Sequence, residues 1–394
     1  MQFLRLAANW IPLSVYERLV PRDVIGFCWH MVTDACPAHT AHLGTHKTPA
    51  QFEADLRWLK SRYEVIDYAQ LCEQRAESGE RRAGLRARRP AAILTFDDGL
   101  REHLTVVAPL LHQHGMPAIF FVTTGFLDNQ RLFYRHKVSL CLEAARTRTL
   151  AELAELLRQL DSAPASHPTD APMHRQTDPP PRDAFRAHLL ALTSHDESAI
   201  DAACRLLGVD TQRFLAERRP YLTSAEVRQL HAAGFTIGAH SVTHTRLGTK
   251  EQSVKSTGHA PAVDDQHSAL ESFDSRATDN WRRTTDNHSP LTEEITNSCR
   301  VIRDLTGLSS VPFAFPFSGD GVARARVQEI RRAEPIVGLI FDRRGFRPDA
   351  HFVVHRIIAD AKPRRVGGQS NLSQLVRNAY RQHRPSTKAT QGDR

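Results

Sequence analysis

Short apolar runs recur along the chain and are separated by stretches with helical spacing. Within 49–62, Phe52, Leu56 and Leu59 recur three or four positions apart, which predicts an amphipathic helix. Each apolar run is bounded by polar or turn-forming residues, as expected of a buried strand. Because strands alternate with helices, the pattern predicts parallel β–α–β units. The runs predicted as strands are 24–29, 65–66, 91–96, 118–122, 235–239, 311–315, 336–341 and 352–358. Further helices are predicted over 68–76, 105–114 with Gly115 as its stop, 223–233 and 290–305.

Two polar stretches interrupt this alternation. The stretch 161–184 is rich in Pro, Ser, Thr and Asp, which predicts a loop or disordered insertion. The stretch 249–289 is polar and lacks periodicity, and its composition favours a mobile insertion over an ordered lid. We therefore expect an N-terminal helical segment over 1–22, a main domain over 23–380 and a disordered tail over 381–394.

Composition narrows the classes of partner and compartment. The 394 residues carry a net charge of +8 at neutral pH, and a basic surface attracts anionic polymers or a negative membrane face. No nucleic-acid-binding motif accompanies the charge, so a nucleic-acid partner is not expected. The six cysteines form no CxxC pair, which favours reduced thiols and a cytoplasmic protein. Residues 1–20 resemble neither a signal peptide nor a spanning helix. We expect an amphipathic helix there, packed on the body or resting on the membrane as a peripheral contact.

Ionisable side chains follow two of the predicted strands. Asp97 and Asp98 come directly after the run 91–96. Burying an unpaired carboxylate is very costly, so these two side chains must meet water, a cation or a metal. His240 and His244 lie four positions apart after another strand. Carboxylate oxygen and imidazole nitrogen are ligands for zinc, and a catalytic zinc site keeps a position open for water.

This residue set indicates metal-assisted hydrolysis. Asp98, His240 and His244 would hold the ion, and Asp97 would accept the proton of the attacking water. Zinc is the expected ion, although Co²⁺, Ni²⁺ and Mn²⁺ accept the same ligand atoms. The chain has 21 histidines, so an HxxxH spacing alone could arise by chance. Chance is a much weaker explanation for the Asp97–Asp98 pair and the HxxxH spacing together, since both follow apolar strands.

Three motifs of the chain resemble those of the polysaccharide deacetylases. This family includes chitin and peptidoglycan deacetylases and the chitooligosaccharide deacetylases of nodulation. The segment 95–99 (TFDDG) is similar to the first motif, 240–244 (HSVTH) to the second and 313–319 (FAFPFSG) to the third. The likeness covers most of 24–358, apart from the two polar insertions.

The resemblance implies a fold, an activity and roles for single residues. The implied fold is a distorted (β/α) barrel of about seven strands, interrupted by two polar insertions. The implied activity is metal-dependent hydrolysis of the N-acetyl group of an amino sugar. Asp97 would be the general base, and Asp98, His240 and His244 would be the metal ligands.

The third motif departs from the family pattern. The peptide N–H near Phe317, which follows Pro316, would still help to hold the oxyanion. However, the usual aromatic hydroxyl is absent at Phe317, and the arginine that orients the base in many members is missing. Arg356, on a late strand, is our candidate replacement, because its guanidinium could pair with Asp97 and keep it ionised. The other interpretation of Arg356 is a surface salt bridge.

The proton donor to the leaving amine is the least defined part of the predicted site. His355 lies on a late apolar strand beside Arg356, but adjacent strand residues face opposite sides, so both are not expected in the site. We favour Arg356 and retain His355 as a candidate acid. His30, which ends the first strand, is an alternative acid or a substrate contact.

The expected substrate is an acetylated amino-sugar glycan, or a lipid-linked or nucleotide-linked precursor of one, because the expected compartment is cytoplasmic. Two alternatives remain open. The chain could hydrolyse another non-peptide C–N bond, in a small cyclic amide or imide. It could also be a carbohydrate-binding protein with a degraded catalytic site, an alternative that the altered third motif favours slightly.

Overall fold

The computed structural model describes residues 13–19, 24–76, 89–161, 181–248, 290–343, 345–346, 349–360 and 372–382. The predicted insertion 249–289 and most of the predicted tail lie outside these residues. The insertion 161–184 is described only at its two ends. There a helix begins at Pro181 rather than after residue 184, since proline suits the first position of a helix.

Seven parallel strands close into a barrel, in the order β1, β10, β9, β8, β7, β6 and β5, with β5 returning to pair with β1. This confirms the predicted distorted (β/α) barrel of about seven strands. The strands are fully or almost fully buried apolar segments, as parallel strands covered by helices must be. Their bounds are β1 Val24–Trp29, β5 Ala91–Phe96, β6 Ile119–Val122, β7 Thr236–Ala239, β8 Val311–Ala314, β9 Val337–Asp342 and β10 Val353–Ile358.

Three short strands lie beside the barrel. Strand β4 (Glu64–Val65) pairs with the beginning of β5, on the edge whose later part pairs with β6. Strands β2 (Met31–Val32) and β3 (His46–Lys47) form a small separate parallel pair immediately after β1. The sequence pattern did not predict this pair, although it predicted a short strand at 65–66, which overlaps β4.

Helices surround the barrel, and several begin or end at residues that the sequence marks. Thr48 caps the predicted helix Pro49–Arg62, and Thr223 caps Ser224–Ala232 in a capping box with Glu226. The helices are α1 Leu13–Leu19, α2 Pro49–Arg62, α3 Tyr68–Ala76, α4 Ala108–His114, α5 Tyr134–Ala144, α6 Leu150–Asp161, α7 Pro181–Ala191, α8 Glu197–Leu207, α9 Thr211–Arg218, α10 Ser224–Ala232, α11 Pro290–Thr306, α12 Arg324–Ala333 and α13 Leu372–Gln382. None of these described helices is both long and apolar enough to cross a bilayer.

The helix predicted after Asp98 is less regular than expected. A π-helical turn, His103–Val107, precedes α4, and the α-helical segment begins only at Ala108. Pro109 stands near this junction and has no N–H to donate to the preceding turn, so the regular hydrogen-bond ladder is interrupted. The end is as predicted: Gly115 closes α4 with a left-handed φ of 63°.

Helices α5 to α8 form a second layer with its own apolar core, built around Val138, Leu153, Phe185 and Ile200. The N-terminal helix α1 packs on the body. Glu17 accepts a hydrogen bond from the Tyr63 hydroxyl at 3.0 Å, and Leu13 is buried.

Candidate active site

The predicted site residues gather at the carboxyl ends of the barrel strands. Asp97 and Asp98 follow β5, His240 follows β7, and Phe317 follows β8. All three strands are parallel, so their ends open on the same rim of the barrel. This rim is the usual place of catalytic residues in barrels of this kind.

Asp98, His240 and His244 form a buried three-residue group. Asp98 Oδ1 lies 3.0 Å from His244 Nε2 and 3.6 Å from His240 Nε2. One ligand atom from each residue lies within 4.8 Å of the other two. Within the described residues this is one of three groups of at least three such side chains, and it is the one whose members are all buried.

The protonation states in this group suit a divalent metal ion. His240 Nδ1 lies 2.9 Å from the backbone oxygen of Ala314, so it donates its proton there and leaves the Nε2 lone pair free. Burial lowers the pKa of His240 to about 4. Burial alone would raise the pKa of Asp98, but its hydrogen bond with His244 and the nearby imidazoles hold that pKa below the usual range. A neutral imidazole next to a carboxylate is the donor chemistry that a catalytic zinc site requires.

The loop that carries both histidines is fixed by a carboxylate from helix α11. Glu294 accepts the backbone N–H groups of Val242 and Thr243, at 2.8 and 3.0 Å. It also accepts the Thr243 hydroxyl at 2.7 Å. Because these bonds hold the middle of the loop, the two imidazoles at its ends are presented in a fixed orientation.

The second carboxylate of the pair, Asp97, is hydrogen-bonded by an arginine, while His240 Nε2 lies farther away, 3.8 Å from its Oδ2. Arg356 donates Nη1 to Asp97 Oδ1 at 2.6 Å and Nη2 to Oδ2 at 2.9 Å. Both side chains are almost fully buried, so this bidentate pair is not a surface salt bridge. Burial alone would raise the pKa of Asp97, but the Arg356 guanidinium holds it well below the usual range. Cys28 adds a third contact, with its Sγ 3.2 Å from Asp97 Oδ2.

Arg356 reaches Asp97 because strand β1 has no side chain in its path. A Cβ at Gly26 would lie 2.9 Å from Arg356 Cγ and 2.7 Å from the backbone oxygen of His355. Gly26 and Arg356 are register partners on β1 and β10. The glycine is therefore required by the close approach of the arginine.

Four of the seven described non-glycine residues with positive φ belong to this rim. They are Asp98 (φ 78°), Ser241 (64°), His244 (59°) and Phe317 (59°). Such conformations are costly for L-residues and persist where the surroundings impose them. The concentration of left-handed residues at three separate loops is typical of a functional site.

His30 faces the same rim from the end of β1. Its Nδ1 lies 3.1 Å from Asp360 Oδ2, and its backbone N–H donates to the same carboxylate at 2.6 Å. Burial alone would lower the pKa of His30, but the Asp360 carboxylate outweighs it, and Asp98 and Asp97 add to the effect, so the pKa rises to about 9. His30 is therefore positively charged at neutral pH and lies close to the carboxylates of Asp97 and Asp98.

His355, the other candidate acid, is not brought to this group. Its Nε2 lies 3.0 Å from Asp349 Oδ2. The charged groups that influence its pKa are Asp342, Asp349 and Arg324. This placement follows from strand alternation, because Arg356 on the same strand points to Asp97.

Phe317 forms part of an aromatic wall beside the histidines. Its ring lies edge-on to His244 with 5.0 Å between centroids, and Phe133 lies 4.4 Å from the same imidazole. In the described part of the chain the Phe317 N–H donates no hydrogen bond. The loop itself is anchored by Gly319, whose N–H donates to Asp342 Oδ1 at 2.9 Å. Pro316 precedes Phe317 and is buried.

Sequence reasoning missed the carboxylates that support the site. Asp360 stands two residues beyond the apolar strand β10, and this position, equivalent to that of Asp98 after β5, was a readable signal. Glu294 had no such signal, because it is one of several polar residues on an amphipathic helix.

Comparison with known proteins finds a family model that matches part of the chain. Residues 85–167 match the family model described as polysaccharide deacetylase. The predicted resemblance to that family is thereby confirmed over a segment that includes Asp97 and Asp98. The predicted class of enzyme, a hydrolase of C–N bonds other than peptide bonds, is confirmed with it. A search of curated proteins found no match.

Several solved structures resemble the chain at low sequence identity. The deacetylase PplD of Streptococcus pyogenes, in complex with acetate, is 13% identical, with 86% of this chain and 94% of that chain covered and a TM-score of 0.44. IcaB from Ammonifex degensii is 12% identical, with 91% and 97% covered and a TM-score of 0.45. A de-N-acetylase from Aggregatibacter actinomycetemcomitans is 14% identical, with 89% and 99% covered and a TM-score of 0.43.

Proposed function

We propose that the chain is a metal-dependent deacetylase that removes N-acetyl groups from an amino-sugar glycan. The observation that carries the proposal is the separation of the two adjacent carboxylates. Asp98 faces the imidazoles of His240 and His244, whereas Asp97 is paired bidentately with buried Arg356. The Asp98 carboxylate can therefore bind a metal ion, and the Asp97 carboxylate can accept a proton.

Asp98, His240 and His244 would hold the ion, and zinc suits their donor atoms best. An ion bound there would supply Lewis acidity toward the acetyl carbonyl and would lower the pKa of water. Co²⁺, Ni²⁺ and Mn²⁺ are alternatives with the same ligand preference.

Asp97 serves as the general base. Since Arg356 keeps its carboxylate ionised at neutral pH, Asp97 can accept a proton from the water that attacks the acetyl carbon. The bidentate contact also fixes the direction of the carboxylate. Besides Arg356, the Cys28 thiol also donates a hydrogen bond to Asp97, at Oδ2.

The Phe317 N–H and His30 complete the reaction. The backbone N–H of Phe317 has no other acceptor among the described residues and would stabilise the developing oxyanion. His30, charged because of Asp360, would deliver a proton to the leaving amine, so that acetate and the free amino sugar are released. His30 therefore takes the role of acid in this proposal, and His355 does not.

Paired substitutions of the two carboxylates test this division of roles. We expect Asp98→Asn to lose both bound metal and acetate release. Asp97→Asn should retain metal while kcat falls by roughly 10²- to 10⁴-fold, because only the proton acceptor is lost. Elemental analysis of the purified variants, paired with acetate release from acetylated chitooligosaccharides, measures both quantities. Full activity of Asp97→Asn would disprove the mechanism.

A further inference from the structure

Two arginines lie over the ring of Phe317 at the edge of the candidate site. The guanidinium carbon of Arg135, on helix α5, is 5.0 Å from the ring centroid, and that of Arg246, two residues after His244, is 5.1 Å away. Phe317 in turn contacts His244 edge-on. The Phe317 ring therefore contacts both guanidinium groups and also His244, one of the three proposed metal ligands.

Neither arginine has a carboxylate partner among the described residues. Arg135 donates Nε to the Tyr134 hydroxyl at 3.1 Å, and Arg246 Nη1 lies 3.5 Å from Ser318 Oγ. Other arginines close to this rim are paired: Arg218 with Glu102, and Arg101 with Glu226. Stacking on an aromatic ring orients a guanidinium but leaves its charge and most of its N–H donors available.

Different parts of the chain supply the two charges. Arg135 is half-buried on a helix of the second layer, and Arg246 is exposed on the loop that follows the HSVTH segment. An uncharged sugar chain could accept hydrogen bonds from these groups but would leave both charges without a counterion. A phosphate or carboxylate group would be bound strongly, because guanidinium N–H groups match the spacing of its oxygens.

We propose that Arg135 and Arg246 select an anionic substrate: an acetylated amino sugar with a phosphate or carboxylate on the same or the neighbouring residue. This inference rests on the proposed deacetylase function and specifies its substrate class. The acetyl group would lie at Asp98, His240 and His244, and the anion would lie beyond the Phe317 ring. The phosphate form would suit a nucleotide-linked or lipid-linked precursor, and the carboxylate form a glycan that contains uronic acid.

The test compares three substrates that share the acetylated amino group. They are N-acetylglucosamine 1-phosphate, an oligosaccharide in which N-acetylglucosamine alternates with glucuronic acid, and a neutral chitooligosaccharide. We expect kcat/KM to be higher for at least one of the two anionic substrates than for the neutral one. The preference should weaken as salt is raised, since ions screen an exposed charge pair.

Substitution of the arginines should remove this preference. In the double variant Arg135→Gln with Arg246→Gln, the ratio of kcat/KM for the preferred anionic substrate to that for the neutral one should fall by roughly ten- to a hundredfold. The change should appear in KM rather than kcat. The Lys double variant keeps both charges and should retain part of the ratio. Arg146→Gln is the matched control, because Arg146 is exposed and pairs only with Glu143 among the described residues.

The outcomes separate this inference from the proposed function. If the wild-type protein releases acetate equally well from all three substrates, or if the Gln variant keeps the ratio, the anion selectivity is wrong and the deacetylase assignment stands. If no substrate releases acetate, the proposed function fails. Binding of N-acetylglucosamine 1-phosphate, measured by titration calorimetry, then decides the inference alone: weaker binding to the Gln variant supports it, and equal binding overturns it.

Discussion

Two histidine–aspartate pairs on neighbouring strands of the barrel have nearly the same separation, but opposite pKa shifts, and only the first of them is hydrogen-bonded. His30 lies 3.1 Å from Asp360, and His355 lies 3.0 Å from Asp349. The pKa of His30 is raised to about 9, whereas burial lowers the pKa of His355 below its usual value. The distance between imidazole and carboxylate therefore does not decide which histidine is a proton donor.

The difference lies in what else each carboxylate contacts. Arg324 donates Nε and Nη2 to Asp349, at 3.0 and 2.8 Å. Burial lowers the pKa of His355 most strongly, and the Arg324 guanidinium opposes the upward effect of Asp342 and Asp349. Asp360 has no lysine or arginine partner in the described part of the chain, and its carboxylate outweighs the burial of His30. Whether a carboxylate raises the pKa of a buried histidine thus depends on burial and on the cations beside that carboxylate.

The network around His355 has a different use. Arg324 also pairs with Asp342, which accepts the N–H of Gly319 in the loop that presents Phe317. These contacts support the loop from outside the site. In the proposed mechanism the first pair supplies the proton, whereas the second pair belongs to a network that supports the Phe317 loop.

The largest effect is expected when the histidine to which the comparison assigns the acid role is replaced. We expect His30→Gln to reduce kcat for acetate release by roughly 10²- to 10⁴-fold, because the proton donor is lost. The metal content should not change, since His30 is not one of the three proposed ligands. His355→Gln is the matched variant and should keep kcat within about threefold. The reverse pattern, measured by acetate release at saturating substrate, would return the acid role to His355.

The comparison also shows what could be predicted from sequence. The seven strands, most of the helices that border them and the grouping of Asp98, His240 and His244 at strand ends were readable, because apolar runs and polar strand ends carry a strong local signal. Arg356 was chosen as an arginine on a late strand that could pair with Asp97, and the two side chains are in bidentate contact.

The choice between His30 and His355 was not readable, because it depends on contacts distant in sequence. Asp360 is separated from His30 by 330 residues, and Arg324 lies 31 residues before His355. Both histidines follow or occupy an apolar strand, so the local patterns are alike. Only the three-dimensional arrangement shows that Arg324 lies beside Asp349 and that no lysine or arginine of the described residues pairs with Asp360.

A smaller effect is expected when the charge beside His30 is removed but the hydrogen-bond acceptor is kept. In Asp360→Asn, burial is no longer opposed by that carboxylate, so the pKa of His30 should fall from about 9 toward or below the ordinary value of about 6.5. In the proposed mechanism His30 is the proton donor and is active when protonated. In the wild-type protein kcat/KM should therefore fall as pH rises through about 9, and in the variant the fall should begin at lower pH.

The pH profile of kcat/KM between pH 5 and 10 measures this shift, with kcat at pH 7 reduced by roughly tenfold or more. An alkaline limb at the same pH in both proteins would show that His30 is not the titrating acid. The same pair also affects folding. Because the folded pKa of His30 is raised, its stabilising contribution is complete below about pH 6.5 and is lost as pH rises toward 9.

The smallest effect on catalysis is expected from the matching change at the second pair. Asp349→Asn removes a buried charge that Arg324 and His355 both contact, so the free energy of unfolding should fall by about 1–3 kcal/mol. No proton of the reaction passes through this group, so kcat should stay within about threefold and the alkaline limb of kcat/KM should not move. Chemical denaturation measures the first quantity and the pH profile the second. A shifted alkaline limb, like that expected for Asp360→Asn, would mean that the two pairs are electrostatically equivalent despite Arg324, and the distinction between an acid and a structural support would have to be abandoned.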